Sequence, residues 1–140
     1  MRLSVFLPQS SHQLFLDLQK LYQPYLNEQQ LTPDALQELI SHPKTLFFVT
    51  QFNARHLGAV QVEIKHEYAQ LSLLCIRDVT RRRGVGKNLL REVEKQLKSK
   101  QVTNVEFSLT ALKESNRETM IQFMQACGYQ LTGQKLTKAL

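Results

Sequence analysis

Hydrophobic and polar residues recur along the chain at two different periods, and the switches between them outline the elements. In RLSVFL, residues 2–7, polar and apolar positions alternate as in a half-buried strand. Ser10 or Ser11 can then cap a helix carrying Leu14, Phe15, Leu18, Leu21 and Tyr22. LTPDALQELI predicts a second, shorter helix: Thr32 is the cap, Pro33 takes the first helical position, and Asp34 complements the dipole in the first turn. From Thr45 the runs become β-rich. TLFFVTQF and HLGAVQVEIKHE, separated by NAR, read as a hairpin, and QLSLLCIRDV supplies a third antiparallel strand. Helical spacing returns with Val85, Leu89, Leu90, Val93 and Leu97, opposed by Lys87, Arg91, Glu94, Lys95 and Lys98. TNVEFSLTAL predicts a strand, SNRETMIQFMQACG a helix stopped at Gly128, and YQLTGQKLT a last strand or hairpin. The order β-α-α-β-β-β-α-β-α-β implies a mixed, mainly antiparallel sheet flanked by helices, an α+β or α/β three-layer domain.

Composition narrows the class. The 140 residues are 42% apolar and 21% charged, with no repeat or low-complexity tract, so one domain over residues 1–140 with a sizeable core is expected. The longest apolar runs are too short to span a bilayer and the N-terminus has no signal-peptide pattern, which makes the cytoplasm the default. Cys75 and Cys127 lack CxxC spacing and read as buried thiols. His12, His42, His56 and His66 lie near predicted turns or ends without zinc-ligand or triad spacing, so each is expected at the surface and no metal site is expected. A net charge of +6 points to an anionic partner.

That charge is concentrated in RDVTRRRGVGK. Arg81, Arg82 and Arg83 run into Gly84, Val85, Gly86 and Lys87, where the helix begins. The first N–H groups of a helix have no partner within it, and the helix dipole adds positive charge there. Two glycines let a phosphate group approach the backbone closely, so the stretch suits a pyrophosphate. Known phosphate loops of other kinds fit less well. A Walker A loop needs four residues between its first glycine and Gly-Lys-Ser/Thr, and a dinucleotide fingerprint needs a third glycine where Leu89 stands. A nucleic-acid module ranks lower still, because the basic residues cluster at one turn without interleaved aromatics.

The run Arg81-Arg82-Arg83-Gly84-Val85-Gly86 resembles the Arg/Gln-x-x-Gly-x-Gly/Ala signature of the Gcn5-related N-acetyltransferases (GNAT), and the element order is similar over nearly the whole chain. The resemblance implies acetyl-CoA or coenzyme A as ligand. It places the pyrophosphate on Thr80, Arg81, Arg82, Arg83, Gly84, Val85, Gly86 and Lys87, and the pantetheine arm along Leu74, Cys75 and Ile76. Acetyl transfer requires a base for the amine and an acid for the leaving thiolate. The position of the family's usual thiolate-protonating tyrosine, four residues before Gly128-Tyr129, is Met124, which cannot donate a proton and reads as core. Tyr129 reads as the core aromatic beside that glycine. Glu63, Glu67 and Glu106 are possible bases but sit as easily on solvated strand faces. No catalytic residue is assigned.

A narrower resemblance accounts for the missing acid. FNAR-L-AV at residues 52–60, RDVTRRRGVG at 77–86 and FMQACGY at 123–129 are similar to the PanZ (PanM) family. That family comprises acetyl-CoA-sensing maturation factors of aspartate 1-decarboxylase, PanD. The resemblance implies a ligand-gated binding protein that promotes self-cleavage of the decarboxylase to its pyruvoyl form and regulates pantothenate and coenzyme A synthesis. It implies that Asn53 contacts that partner, with Arg55 and Arg81 to Arg83 adding a basic, steering surface. A plain N-acetyltransferase is the alternative. The chain departs from the PanZ pattern in NEQQLTPDALQELISHPKT, in Gln51 and at its C-terminus.

Overall fold

The computed structural model describes residues 2–77 and 84–140. Its elements in chain order are β1 (Ser4–Phe6), α1 (His12–Tyr22), a 3-10 turn (Glu28–Leu31), α2 (Pro33–Ser41), β2 (Leu46–Phe52), β3 (Arg55–Lys65), β4 (Tyr68–Ile76), α3 (Val85–Ser99), β5 (Asn104–Ser108), a second 3-10 turn (Leu109–Ala111), α4 (Glu114–Ala126), β6 (Gln130–Thr132) and β7 (Lys135–Ala139). The strands form one sheet in the order β1-β2-β3-β4-β5-β7-β6. Every pairing is antiparallel except β4 with β5. The last segment is a hairpin, and its second strand inserts beside β5.

The local signals account for the helix ends. Ser11 and Thr32 accept hydrogen bonds from the backbone N–H groups of Leu14 and Ala35, capping α1 and α2. Beyond α4, Gly128 takes a left-handed φ of 94°, and the Gly128 and Tyr129 amides donate back to Gln125 and Met124. This double return satisfies the last carbonyls of the helix and turns the chain into β6.

Successive residues of the central strands face opposite layers, which is why Leu46 to Val49 are continuously apolar. Phe47, Val49 and Ala59 pack with Leu14, Leu18 and Leu21 of α1 and Leu36 of α2. Phe48, Val60 and Val62 pack with Leu89, Leu90, Val93 and Leu97 of α3 and Met124 of α4. Each such buried side chain contributes about 2 kcal/mol of apolar burial. Among the described residues no helix is long and apolar enough to cross a membrane.

Candidate functional site

β4 pairs with β3 along its whole length, as far as Gly58↔Ile76, but its pairing with β5 ends at Leu71↔Phe107. Residues 72–76 therefore have a strand on one side and, among the described residues, none on the other. The parting is sharpened by a bulge: Ala59 faces Cys75 while Gln61 faces Ser72, so Val60 opposes two residues. Leu73 takes up the extra length with a φ of 52°. The Tyr22 hydroxyl of α1, fully buried, donates to the Leu73 carbonyl at 2.5 Å and holds the bulge. Burial pushes that phenol well above its ordinary pKa, so it stays a donor.

The gap so opened is a cavity of about 500 Å³, in the range that takes a cofactor arm. Leu74, Cys75 and Ile76 form one wall; Met120 and Phe123 of α4 and Leu112 before it form the other; Gly86 lies at the start of α3. Asn116, Thr119 and Gln122 add amide and hydroxyl groups. The Cys75 thiol turns away toward α1, donating to the Leu21 carbonyl at 2.9 Å, so Cys75 meets the cavity from the strand rather than with a thiolate.

Of the residues expected to hold the pyrophosphate, Thr80, Arg81, Arg82 and Arg83 lie outside the described residues. Gly84 is the N-cap of α3 with a left-handed φ of 78°, and among the described residues no side chain caps the helix there. Gly84 is exposed, with nothing within 4 Å of a Cβ placed on it. Val85 is core, offering only its backbone. Gly86 serves close packing: a Cβ there would lie 2.7 Å from Phe123 Cζ and 3.2 Å from Ile76 Cγ1. Lys87 is exposed and lines a separate groove with Arg91, Glu94, Cys127 and Lys138.

The proton-transfer candidates sort clearly. Met124 is fully buried in the core, away from the cavity wall. Tyr129 is buried and donates to Glu94 at 2.7 Å, while Lys138 donates to the same carboxylate at 2.8 Å and to the Cys127 carbonyl at 3.0 Å. Burial, with Glu94 adding, pushes the Tyr129 phenol far up and fixes it as a structural donor. Cys127 is half-buried rather than buried, its thiol pushed up by burial and Glu94 against the opposing pull of Lys138 and Lys87. Glu63 and Glu106 pair with Lys65 and Lys135 at 3.7 and 3.6 Å, and Glu67 is exposed; none lines the cavity. The cavity wall does include one phenol that sequence reasoning missed, Tyr25, just beyond α1. No periodicity or motif marks that residue.

The β2–β3 connection is a two-residue turn. Asn53 and Ala54 both have positive φ, 51° and 63°, the mirror-image geometry that suits the twist of a hairpin. One surface expectation fails beside it. His56 is 6% exposed, and its Nδ1 lies 2.8 Å from the buried Asp17 carboxylate. Arg55, with 39% of its side chain exposed, donates to that carboxylate from Nε and Nη2, each at 3.0 Å, which ties its guanidinium to α1. Both contacts span nearly forty positions, which local spacing cannot reveal.

The comparisons with known proteins agree with this geometry. The model of the PanZ acetyltransferase (GNAT) domain matches residues 3–137. The PanD regulatory factor of Escherichia coli (strain K12) is 35% identical over 130 residues, 92% of this chain and 92% of its own length. The solution NMR structure of the E. coli protein YhhK bound to coenzyme A is similar over 100% of both chains, with a TM-score of 0.80 and 33% identity. The PaiA N-acetyltransferase of Thermoplasma acidophilum, in complex with coenzyme A, covers 100% of both chains with a TM-score of 0.76; at 17% identity the likeness is one of fold.

Proposed function

Because the chain belongs to the PanZ family of GNAT acetyltransferase domains, we propose that it is an acetyl-CoA-binding regulatory protein, a single cytoplasmic domain, that acts on aspartate 1-decarboxylase. The observation that carries the ligand half is the cavity where β4 parts from β5. In this reading the pantetheine arm lies along Leu74, Cys75 and Ile76, and the pyrophosphate sits over the start of α3, on Thr80 through Lys87. Three supports converge there: an uncapped helix start, a left-handed Gly84, and a Gly86 that lets α3 approach the cavity wall. The apolar lining suits the arm, and its amides and hydroxyl suit the arm's peptide-like groups.

The partner half rests on the E. coli relative being a PanD regulatory factor, and on Asn53. The turn presents that residue at the hairpin tip, where its amide offers both a donor and an acceptor to a partner backbone. Ligand and partner surfaces are joined by the sheet: the Arg77 amide, one residue beyond β4, donates to the Leu57 carbonyl of β3 at 2.8 Å.

The test is complex formation between the purified chain and the unprocessed decarboxylase, with and without acetyl-CoA. Complex and faster self-cleavage are expected only with acetyl-CoA. Absence of a complex, or identical complex without ligand, overturns the reading. Asn53→Gly should reduce binding: glycine keeps both positive φ values at no steric cost but removes the amide, whereas alanine would place two alanines in left-handed geometry. N-acetyl transfer is the second reading, favoured by the Tyr25 phenol on the cavity wall.

A further inference from the structure

The most heavily hydrogen-bonded carboxylate among the described residues lies outside the cavity. Asp17, midway along α1, is 2% exposed among Leu14, Leu18 and Leu21. Its Oδ1 accepts from Gln13 Nε2 at 2.8 Å and from Arg55 Nε at 3.0 Å. Its Oδ2 accepts from the His56 amide at 2.9 Å and meets His56 Nδ1 at 2.8 Å. A carboxylate only accepts, so that imidazole nitrogen carries the proton. A charge taken out of water survives only with such full satisfaction.

The donors are distributed in a telling way. Apart from Gln13, all come from Arg55 and His56, the two residues directly after the Asn53–Ala54 turn. The β2–β3 ladder also steps out of register here: Thr50 faces Gly58, but Gln51 faces His56. The last two rungs are thus offset from the rest of the sheet, and Ala54 holds a φ that alanine disfavours. Sheet pairing alone leaves the direction of such a tip loosely set. A rigid buried acceptor on the neighbouring helix sets it.

We propose that Asp17 is a positioning residue for partner docking: through Arg55 and His56 it clamps the tip of the β2–β3 hairpin and holds Asn53 in its partner-contacting orientation. The proposal rests on the reading of Asn53 given above. It assigns Asp17 no contact with ligand or partner.

The test uses Asp17→Asn, which keeps the size and one acceptor but loses the charge. In calorimetry at saturating acetyl-CoA, affinity for the unprocessed decarboxylase should fall at least about tenfold while acetyl-CoA affinity stays within about twofold. The double variant Asp17→Asn/Asn53→Gly should bind no more weakly than Asn53→Gly alone, since residues acting through one contact are not additive. Wild-type partner affinity for Asp17→Asn, or losses that add, overturns the clamp. If Asp17→Asn does not fold, Arg55→Gln, which leaves the His56 contacts intact, should show the same pattern at smaller size, and its absence overturns the clamp. Amide exchange without partner separates the two ideas. At the amides of residues 53–56, exchange should quicken at least about tenfold in Asp17→Asn while α3 keeps its protection. Should the wild-type chain bind no decarboxylase, the functional reading falls, and unchanged exchange at 53–56 would sink the clamp as well.

Discussion

Replacing Gly86 by alanine should weaken coenzyme A binding while leaving the protein folded. Gly86 is the second residue of α3, where alanine in place of glycine contributes about 0.8–1.0 kcal/mol of helix propensity. Against this stands the overlap. The new Cβ would meet Phe123 Cζ at 2.7 Å, Phe123 Cε1 at 3.0 Å and Ile76 Cγ1 at 3.2 Å, where carbon atoms ordinarily settle at about 3.5–4.0 Å. Overpacking of this kind costs about 1–3 kcal/mol. The net effect on folding is then between zero and about 2 kcal/mol, a fall in melting temperature of at most about 8 °C. Phe123 packs against the α3-side core and borders the cavity, so the open direction for its ring is into the cavity, the space that the proposed reading gives to the pantetheine arm. If the overlap is felt mainly in the complex, the same 1–3 kcal/mol becomes roughly a 5-fold to 150-fold loss of affinity. Calorimetric titration with coenzyme A, beside a thermal melt, reads both quantities. Gly86→Ala/Phe123→Leu, which shortens the obstructing side chain, should regain most of the affinity. Wild-type affinity in Gly86→Ala with a raised melting temperature would show that the close approach to Phe123 is dispensable for binding, and no recovery in the double variant would refute the route through Phe123.

Gly84 should respond differently from Gly86. At Gly84 the described residues leave nothing within 4 Å of a Cβ, but the left-handed φ of 78° strains any side chain by about 1–2 kcal/mol, so Gly84→Asp should lower the melting temperature by a few degrees while coenzyme A binding is lost to charge repulsion; retained binding would overturn the proposed pyrophosphate position. The Asp17 carboxyl sits below its ordinary pKa: burial alone would raise it, but the hydrogen bonds from His56, then Gln13 and Arg55, outweigh that. A folded value below the unfolded one contributes stability that is present above the unfolded value, about 3.9, and lost as pH falls through the folded value. The stability gap between wild type and Asp17→Asn should therefore be widest near neutral pH and narrow below about pH 4; a gap constant from pH 7 down to pH 2 would contradict it. In a thiol-release assay over a broad amine panel, acetyl transfer should be negligible. Efficient turnover abolished by Tyr25→Phe would instead establish the cavity as catalytic.

The elements were legible because their causes are local. Ser11, Thr32, Pro33 and Gly128 act within a few residues of themselves, and each helix starts or stops where they stand. The β-rich run containing Phe47 to Val49 already implied a strand, and the order of elements a sheet flanked by helices. The uncapped start of α3 at Gly84 was legible for the same reason, since a glycine turn before a helical period needs no distant partner. Sequence also placed Met124 and Tyr129 in the core correctly, through their spacing along α4 and their place beside Gly128.

What stayed hidden depends on which elements meet. His56 belongs to a strand end that an alternating pattern leaves exposed, yet α1 lies over that end and brings Asp17 within 2.8 Å of it. Tyr22 looked like one more apolar position of an amphipathic helix, and only the bulge at Leu73 gives its hydroxyl a carbonyl to hold. The bulge itself has no glycine to announce it: a leucine adopts the left-handed conformation, which costs about 1–2 kcal/mol and persists because the surrounding contacts fix it. One helix, α1, thus fastens both irregularities of the sheet, the Leu73 bulge through Tyr22 and the offset hairpin tip through Asp17. Those are the points where the strands leave ideal geometry, one beside the cavity and the other beside the turn that carries Asn53. A pattern of apolar positions describes how α1 packs, but these two polar groups are what make the packing specific to the sheet beneath it.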